Sequence, residues 1–259
     1  MSNTYLQFIA PMASPLEQFS VIPLIPINLG WVDLSVTNSA IYCILTYAVL
    51  RLVWNTILMH GGLVVPSRYQ AGAEMIYEFV LSLANEQLGK NAQPYLAIVF
   101  TSFLYILAGN LLGLIPFSFA TTAQLVVAFG LSFSLFIGVT FIGVQKHGLH
   151  FLSFFLPSGA PIGLAPLLVV IELISYIFRP ISLGVRLFAN MTAGHSLLAI
   201  IAGFGWSIGT CGSVLAVAAF IPVAVIVVIY GLELAVAFLQ AYVFGVLLCI
   251  YLKDAIELH

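Results

Sequence analysis

Apolar residues fill this chain in long blocks, and the few polar residues inside those blocks fall at helical spacings. The blocks over 36–58, 94–115 and 121–143 each carry the run of about 20 apolar residues that crosses a bilayer as a helix. Arg51 falls near the end of the first, where its side chain can snorkel to the interface, and His60-Gly61-Gly62 breaks that helix. Residues 68–88 follow a different period. Met75, Ile76, Phe79, Val80, Leu83 and Leu88 make one apolar face, while Glu74, Glu78, Asn85 and Glu86 lie elsewhere. That segment is too polar to span and reads as an amphipathic surface helix.

After a Pro/Gly-rich linker, "LPSGAPIGLAP", two longer apolar runs cover 165–203 and 214–252, separated by a turn from Gly203 to Gly212. Each is about 58 Å long at helical rise, against a hydrocarbon layer of about 30 Å. No polar turn divides either run, so each is expected to be one strongly tilted helix, kinked at Pro180 or Pro222. Residues 1–33 form a proline-rich N-terminal segment, in which Ser14-Pro15-Leu16-Glu17-Gln18-Phe19 has the features of a short helix start. The pattern predicts an all-α membrane protein, one membrane domain over 1–259. It has about five membrane-embedded helices plus the surface helix, and the last two form a long tilted hairpin.

Composition agrees. The 259 residues are 62% hydrophobic and only 6% charged, whereas a soluble domain carries about 25% charged residues. There is no basic patch for nucleic acid. Cys43, Cys211 and Cys249 all lie in apolar segments and read as free thiols, not a disulfide frame or a metal site. No cofactor motif is apparent. The first residues lack the basic stretch of a secretory signal. With five crossings, Arg68, Lys90, Lys146 and Lys253 share one side, and the opposite side carries no Lys or Arg. That places the N-terminus outside and the C-terminus inside.

The candidate chemistry lies in 171–198, "IELISYIFRPISLGVRLFANMTAGHSLL". An arginine in hydrocarbon costs about 2.5–3.5 kcal/mol on insertion scales, so such residues line a polar cavity, a partner interface or an ion path. Glu172, Arg179 and Arg186 are seven residues apart, which is about 20° short of two full turns. With Ser175, Ser182 and Asn190 they form one polar stripe about 27 Å long. His195 lies half a turn round from Arg186, about 13.5 Å along the axis. On the last helix Tyr230, Glu233 and Gln240 form a second stripe. Antiparallel pairing brings His195 toward the part of that helix before Glu233, a His and a carboxylate able to pass protons near the outer face. Glu172 and Asp254 fall at the inner ends of the two helices.

These residues admit blander readings. Glu172 and Arg179 can be interfacial structural charges, His195 a hydrogen-bonded core histidine, and Asn190 and Gln240 helix-to-helix bonds. Asn110 and Gln124, in the earlier pair of spans, read as such bonds. Arg186 is the hardest to treat so, because it lies deep with no carboxylate three or four residues away. A haem subunit needs paired membrane histidines, and His195 is the only one inside a span. An antiporter-like subunit would hold lysines in its membrane helices, where this chain has none. A stand-alone proton-coupled transporter is the alternative, although the long helices have no second copy in the first half.

"SLGVRLFANMTAGHSLL" and "ELAVAFLQAYVFGVLLCIYLKDAI" resemble the two signature helices of the subunit a family of F-type ATP synthases. The likeness extends to "SPLEQF", "EFVLSLANEQLG", "NLLGLIPFSF" and "KHGLHFLSFFLPSGAP", nearly the whole chain. A Glu early in the fifth helix, a His after "AG" and a Glu in the last helix look like the mitochondrial version. The resemblance implies a non-catalytic proton-translocating stator subunit. It would be multi-pass in the mitochondrial inner membrane, with its N-terminus toward the intermembrane space and its C-terminus toward the matrix. Its partners would be a ring of c subunits, the peripheral stalk and other membrane-sector subunits, lipid and protons.

The same likeness assigns Arg186 to the ring carboxylates, His195 and Glu233 to an outer half-channel, and Glu172 and Asp254 to an inner one. Arg179, Asn190 and Gln240 match polar positions near the ring, and Ser182 lies in the same stripe. Pro180 departs from the small helix former expected there. The leader that some fungal relatives lose before the "SPL" segment is expected to be retained.

Overall fold

The computed structural model describes residues 17–27, 30, 34–59, 66–115, 118–148, 150–151, 165–210 and 220–257. Ser14 to Leu16, His60-Gly61-Gly62, Pro116, the linker over 152–164 and the segment 211–219 with Cys211 lie outside the described residues.

Six helices dominate: α1 (Asn38–Met59), α2 (Arg68–Leu88), α3 (Leu96–Gly113), α4 (Leu125–His147), α5 (Ala165–Thr210) and α6 (Phe220–Ile256). The described part of the N-terminal segment is a single turn of 3-10 helix, Glu17–Phe19, followed by a short antiparallel ribbon. In it β1 (Pro23–Ile25) pairs with β2 (Val36–Thr37). Asn38 joins ribbon to helix: its side chain accepts from Ser39 and Ile22 and donates to the carbonyl of Ser20. Thr37 Oγ1 accepts from the Ala40 amide, so the first turn of α1 is capped by residues suited to it.

The helices 93–113, 125–147, 166–209 and 220–256 are each long and apolar enough to cross a membrane. α1, at 22 residues, also has the length for a crossing. α2 begins at Ser67, whose hydroxyl accepts from Gln70 N at 3.3 Å, and ends at Gly89, where a φ of 56° favours glycine. The amphipathic reading of α2 holds, and part of its apolar face has a protein partner. Val80, Leu83, Ala84 and Leu88 are buried against α3 and α6 in the main core, while Met75, Ile76 and Phe79 remain exposed.

α5 and α6 form the expected long hairpin, with one difference. α5 runs 46 residues as one helix, about 69 Å at helical rise, and continues through Gly203, Gly205 and Gly209, where a turn was expected. Without water to compete for backbone groups, a glycine loses most of its power to end a helix in hydrocarbon. Pro222 is the third described residue of α6, next to the segment outside the described residues. Pro180 does lie inside α5, and the helix continues on both sides of it.

The hairpin is antiparallel in regular register. Arg179 meets Asp254, Asn190 meets Gln240, Gly194 meets Glu233, and Gly205 meets Pro222. α4 packs along α5, where Gly184 lets the Ser132 and Phe129 side chains close in. α3 packs along α6, and α1 lies against α3. The C-terminal ends of α4 and α6 are joined by a hydrogen bond between His147 Nε2 and the Ile256 carbonyl, 2.9 Å. The apolar core is built from Phe103, Ile106, Leu187, Phe244, Leu248 and Leu252, which leaves the polar residues along its edge.

Candidate functional site

The polar residues of the hairpin collect into three groups along its length. At the end near the C-terminus, Arg179 Nη1 lies 2.7 Å from Asp254 Oδ2, and Nη2 lies 3.7 Å from Glu172 Oε1. The guanidinium carbon stands 5.7 Å from the Tyr176 ring centroid and 5.5 Å from that of Tyr251. Tyr176 in turn shares a 2.7 Å hydrogen bond with Thr140 of α4. Three helices thus converge on one cation held by two carboxylates and two aromatic faces, each contact favourable for a planar guanidinium. The side chains of Arg179 and Asp254 keep 20% and 28% of their surface, so water still screens the pair. The two tyrosines are the part that sequence reading passed over. Their signal was their spacing, three residues before each partner of the ion pair.

In the middle, Asn190 Nδ2 donates to Gln240 Oε1 at 2.9 Å across the two long helices. Gln240 is 2% exposed and its own amide nitrogen has no protein acceptor among the described residues. Arg186, half-buried one turn earlier on α5, takes part in no ion pair among the described residues. Leu183 and Leu187 beside it point into the core, and Ser182, Ala189 and Asn190 share its exposed flank. Arg186 therefore sits on the margin between core and the uncovered side of the hairpin.

The third group lies toward the 203–210 end of α5. Glu233 is 8% exposed, and neither carboxylate oxygen has a hydrogen-bond partner among the described residues. Its carboxyl rests directly against the backbone of Gly194; a Cβ there would collide with Oε1 and come within 2.9 Å of the carboxyl carbon. Only glycine at 194 leaves this room. The neighbouring His195 turns the other way, toward the end of α3. Its buried Nε2 lies beside Gly113 and is also unpaired. No hydrogen bond joins His195 to Glu233, so the two sit on adjacent residues' contacts without pairing. Tyr230 OH donates to the Leu114 carbonyl at 3.0 Å, which fixes α6 on the end of α3.

Further polar groups surround this third cluster. Asn110 is fully buried, donates weakly to the Ala237 carbonyl at 3.4 Å, and leaves Oδ1 unpaired. The hydroxyl of Thr122 is buried and unpaired. Gln124 binds the carbonyl of Phe19, not another membrane helix, and the Phe19 ring meets His195 edge-on at 6.4 Å. The expectation of helix-to-helix bonds thus holds for Asn110 and not for Gln124. Thr122 and Gln18 had no helical period to mark them; they enter through short turns whose position only the fold supplies.

The match to known proteins spans nearly the whole chain. The family described as ATP synthase A chain matches residues 39–253. The chain is 50% identical over 249 residues to the ATP synthase subunit a of Marchantia polymorpha, covering 95% of this chain and 99% of that protein. It is 48% identical over 250 residues to that of Mycosarcoma maydis, covering 95% and 98%, and 43% identical over 248 residues to that of Chondrus crispus, covering 96% and 98%. A family match over most of the chain and relatives of nearly equal length agree with the long apolar hairpin and its buried polar seam: the chain belongs to the ATP synthase A chain family and is a subunit of the membrane sector of an ATP synthase.

Proposed function

We propose that this chain conducts protons between the two sides of the membrane through two half-paths that load and unload carboxylates on a ring of c subunits. Arg186 divides the two paths. The observation that carries the reading is the contrast along one helix. Arg179 has two carboxylates of its own chain, and Arg186 has none among the described residues. A half-buried guanidinium in hydrocarbon needs an anion, and the uncovered flank of α5 beside Ser182 and Ala189 leaves room for one from a partner chain.

In this reading a proton enters past His195 and Glu233 and neutralises a ring carboxylate, which can then turn into lipid at low cost. Where the ring carboxylate returns to Arg186, the positive charge favours its ionised form, and the proton leaves past Glu172 and Asp254. The membrane potential contributes about 2.3 kcal/mol per charge per 100 mV. The unpaired buried atoms of Glu233, His195, Asn110 and Thr122 support the outer path, because buried polar groups without protein partners are where water is held. The chain itself performs no bond-making step. The placement that fits is the mitochondrial inner membrane with five crossings, α1 included. The N-terminus then faces the intermembrane space and the C-terminus the matrix, and the peripheral stalk and other membrane-sector subunits are further partners.

The test is Arg186→Ala in the assembled complex. Proton-driven ATP synthesis and ATP-driven proton pumping are both expected to fall to background while the complex still assembles. Normal coupling in that variant would sink the assignment.

A further inference from the structure

The turn Glu17–Phe19 belongs to none of the membrane helices, yet it is fastened to the outer polar cluster from three directions. The Phe19 carbonyl accepts from Gln124 Nε2 at 2.8 Å, at the start of α4. The Phe19 ring packs against Ala120, Ala123 and Met191. The same ring meets the His195 imidazole at 6.4 Å and 84°, an edge-to-face arrangement. One residue before it, the amide nitrogen of Gln18 is buried without a protein partner among the described residues, like His195 Nε2 itself. From this geometry we infer that Phe19 is a positioning residue for proton entry: it fixes the plane of the His195 ring and closes one wall of the polar compartment, while Gln18 offers that compartment a donor.

The physical need is clear. A histidine that passes protons must present a chosen nitrogen in a chosen direction. His195 receives no hydrogen bond at Nε2 from the described residues, so packing has to orient the ring. On the Nε2 side stands Gly113, where an added Cβ would lie 3.8 Å from that nitrogen. Phe19 supplies the aromatic contact to the ring itself. The titratable groups brought toward the imidazole are Glu233, against the adjoining Gly194; Tyr230, bonded to Leu114 beside Gly113; and Glu17, exposed two residues before Phe19. A loss of the aromatic ring changes none of these charges, which separates a positioning effect from an electrostatic one.

This inference rests on the outer-path reading of His195 and Glu233. The experiment uses the complete complex in sealed vesicles, with ATP synthesis measured as outer pH is varied at fixed inner pH. Phe19→Leu keeps the apolar volume and is expected to assemble. It should raise the outer proton concentration needed for half-maximal synthesis about two- to tenfold, the range an edge-to-face ring contact supports, with the maximal rate preserved. Phe19→Tyr, which keeps the ring, should restore the normal dependence. Gln124→Leu, which releases the Phe19 carbonyl, should shift it in the same direction as Phe19→Leu. An unshifted proton dependence in Phe19→Leu, or a loss of rate that only follows the amount of assembled complex, overturns the inference. Glu233→Gln serves as the control for the reading beneath it. If that variant is fully active, the outer path itself is wrong; if it is impaired while Phe19→Leu is normal, only the role of Phe19 fails.

Discussion

The two ends of the hairpin hold their polar residues in opposite ways. At the end near the C-terminus the half-buried charge is answered: Arg179 lies between Asp254 and Glu172, with Tyr176 and Tyr251 on its faces. At the other end the Glu233 carboxylate oxygens and His195 Nε2 are buried with no hydrogen-bond partner among the described residues. The difference separates two uses of polarity in an apolar fold. A satisfied cluster fixes geometry, because removing one partner strands the others. An unsatisfied one is costly to keep and adds nothing to packing, which is the mark of a group held for exchange with water or a partner. Substitutions at the two ends should therefore fail in different ways.

The largest contrast is expected from Glu233→Gln. Removing an unpaired buried carboxyl should leave the thermal stability of the assembled complex unchanged or slightly raised, while proton-driven synthesis drops by about tenfold or more, the scale of losing one positioned proton carrier. Synthesis rate and heat-induced dissociation, measured on the same membranes, check both halves. A stability loss without a rate loss would make Glu233 a structural residue and erase the contrast.

At the end near the C-terminus, Asp254→Ala should cost stability first. Stripping Arg179 of its 2.7 Å partner leaves a half-buried cation, and the penalty should be about 1–3 kcal/mol, reduced from that of a fully buried pair by the water that still reaches it. Replacing the pair together, Arg179→Leu with Asp254→Leu, should recover most of that stability, since the one charge then left without its partner, Glu172, keeps 35% of its side-chain surface and is reached by water. If the double variant is as unstable as the single one, the ion pair is not what holds α5 to α6 there. If it regains stability but not synthesis, Asp254 serves the proton path as well as the fold.

How much of this was written in the sequence depends on the kind of contact. The helices were legible because apolar blocks leave few alternatives, and the seven-residue spacing of Glu172, Arg179 and Arg186 put them in one stripe before any fold was known. Pairing was not legible to the residue. The register that sets Arg179 against Asp254 and Glu233 against Gly194 depends on how two helices slide, and many offsets bury the same leucines and valines. Turn residues were the least visible: Gln18, Phe19 and Thr122 reach His195 and its surroundings through chain segments with no periodicity. Gly203 to Gly209 misled for a physical reason, since the propensity that ends helices in water is weak where backbone groups have no other partner.

A smaller effect sharpens the Glu233 end. Gly194→Ala places a methyl group where the Glu233 carboxyl lies, so the carboxyl must swing aside or α6 must move away from α5. The rate should fall by less than in Glu233→Gln, because the carboxyl is displaced and not lost. Adding Glu233→Asp, one methylene shorter, should return part of that activity by vacating the space the methyl takes. Failure of the shorter acid to help, with assembly intact, would mean that the contact with Gly194 does not set where Glu233 acts.

The smallest effect is expected between the two ends, at Asn190. Its side chain donates one hydrogen bond to Gln240 across the hairpin, and interhelical bonds of this kind in membranes are worth about 0.6 kcal/mol on average. Asn190→Ala should lower the stability of the complex by about that amount. The cost falls mainly on Gln240, 2% exposed, whose oxygen would join its amide nitrogen in having no partner in the described chain. Gln240→Leu in the same chain should cancel the loss by removing both stranded atoms. If the middle pair only joins helices, the double variant will match the parent in heat-induced dissociation and in synthesis alike. A double variant that is stable but slow would instead extend the Glu233 end's behaviour, polarity kept for exchange, to within one turn of Arg186.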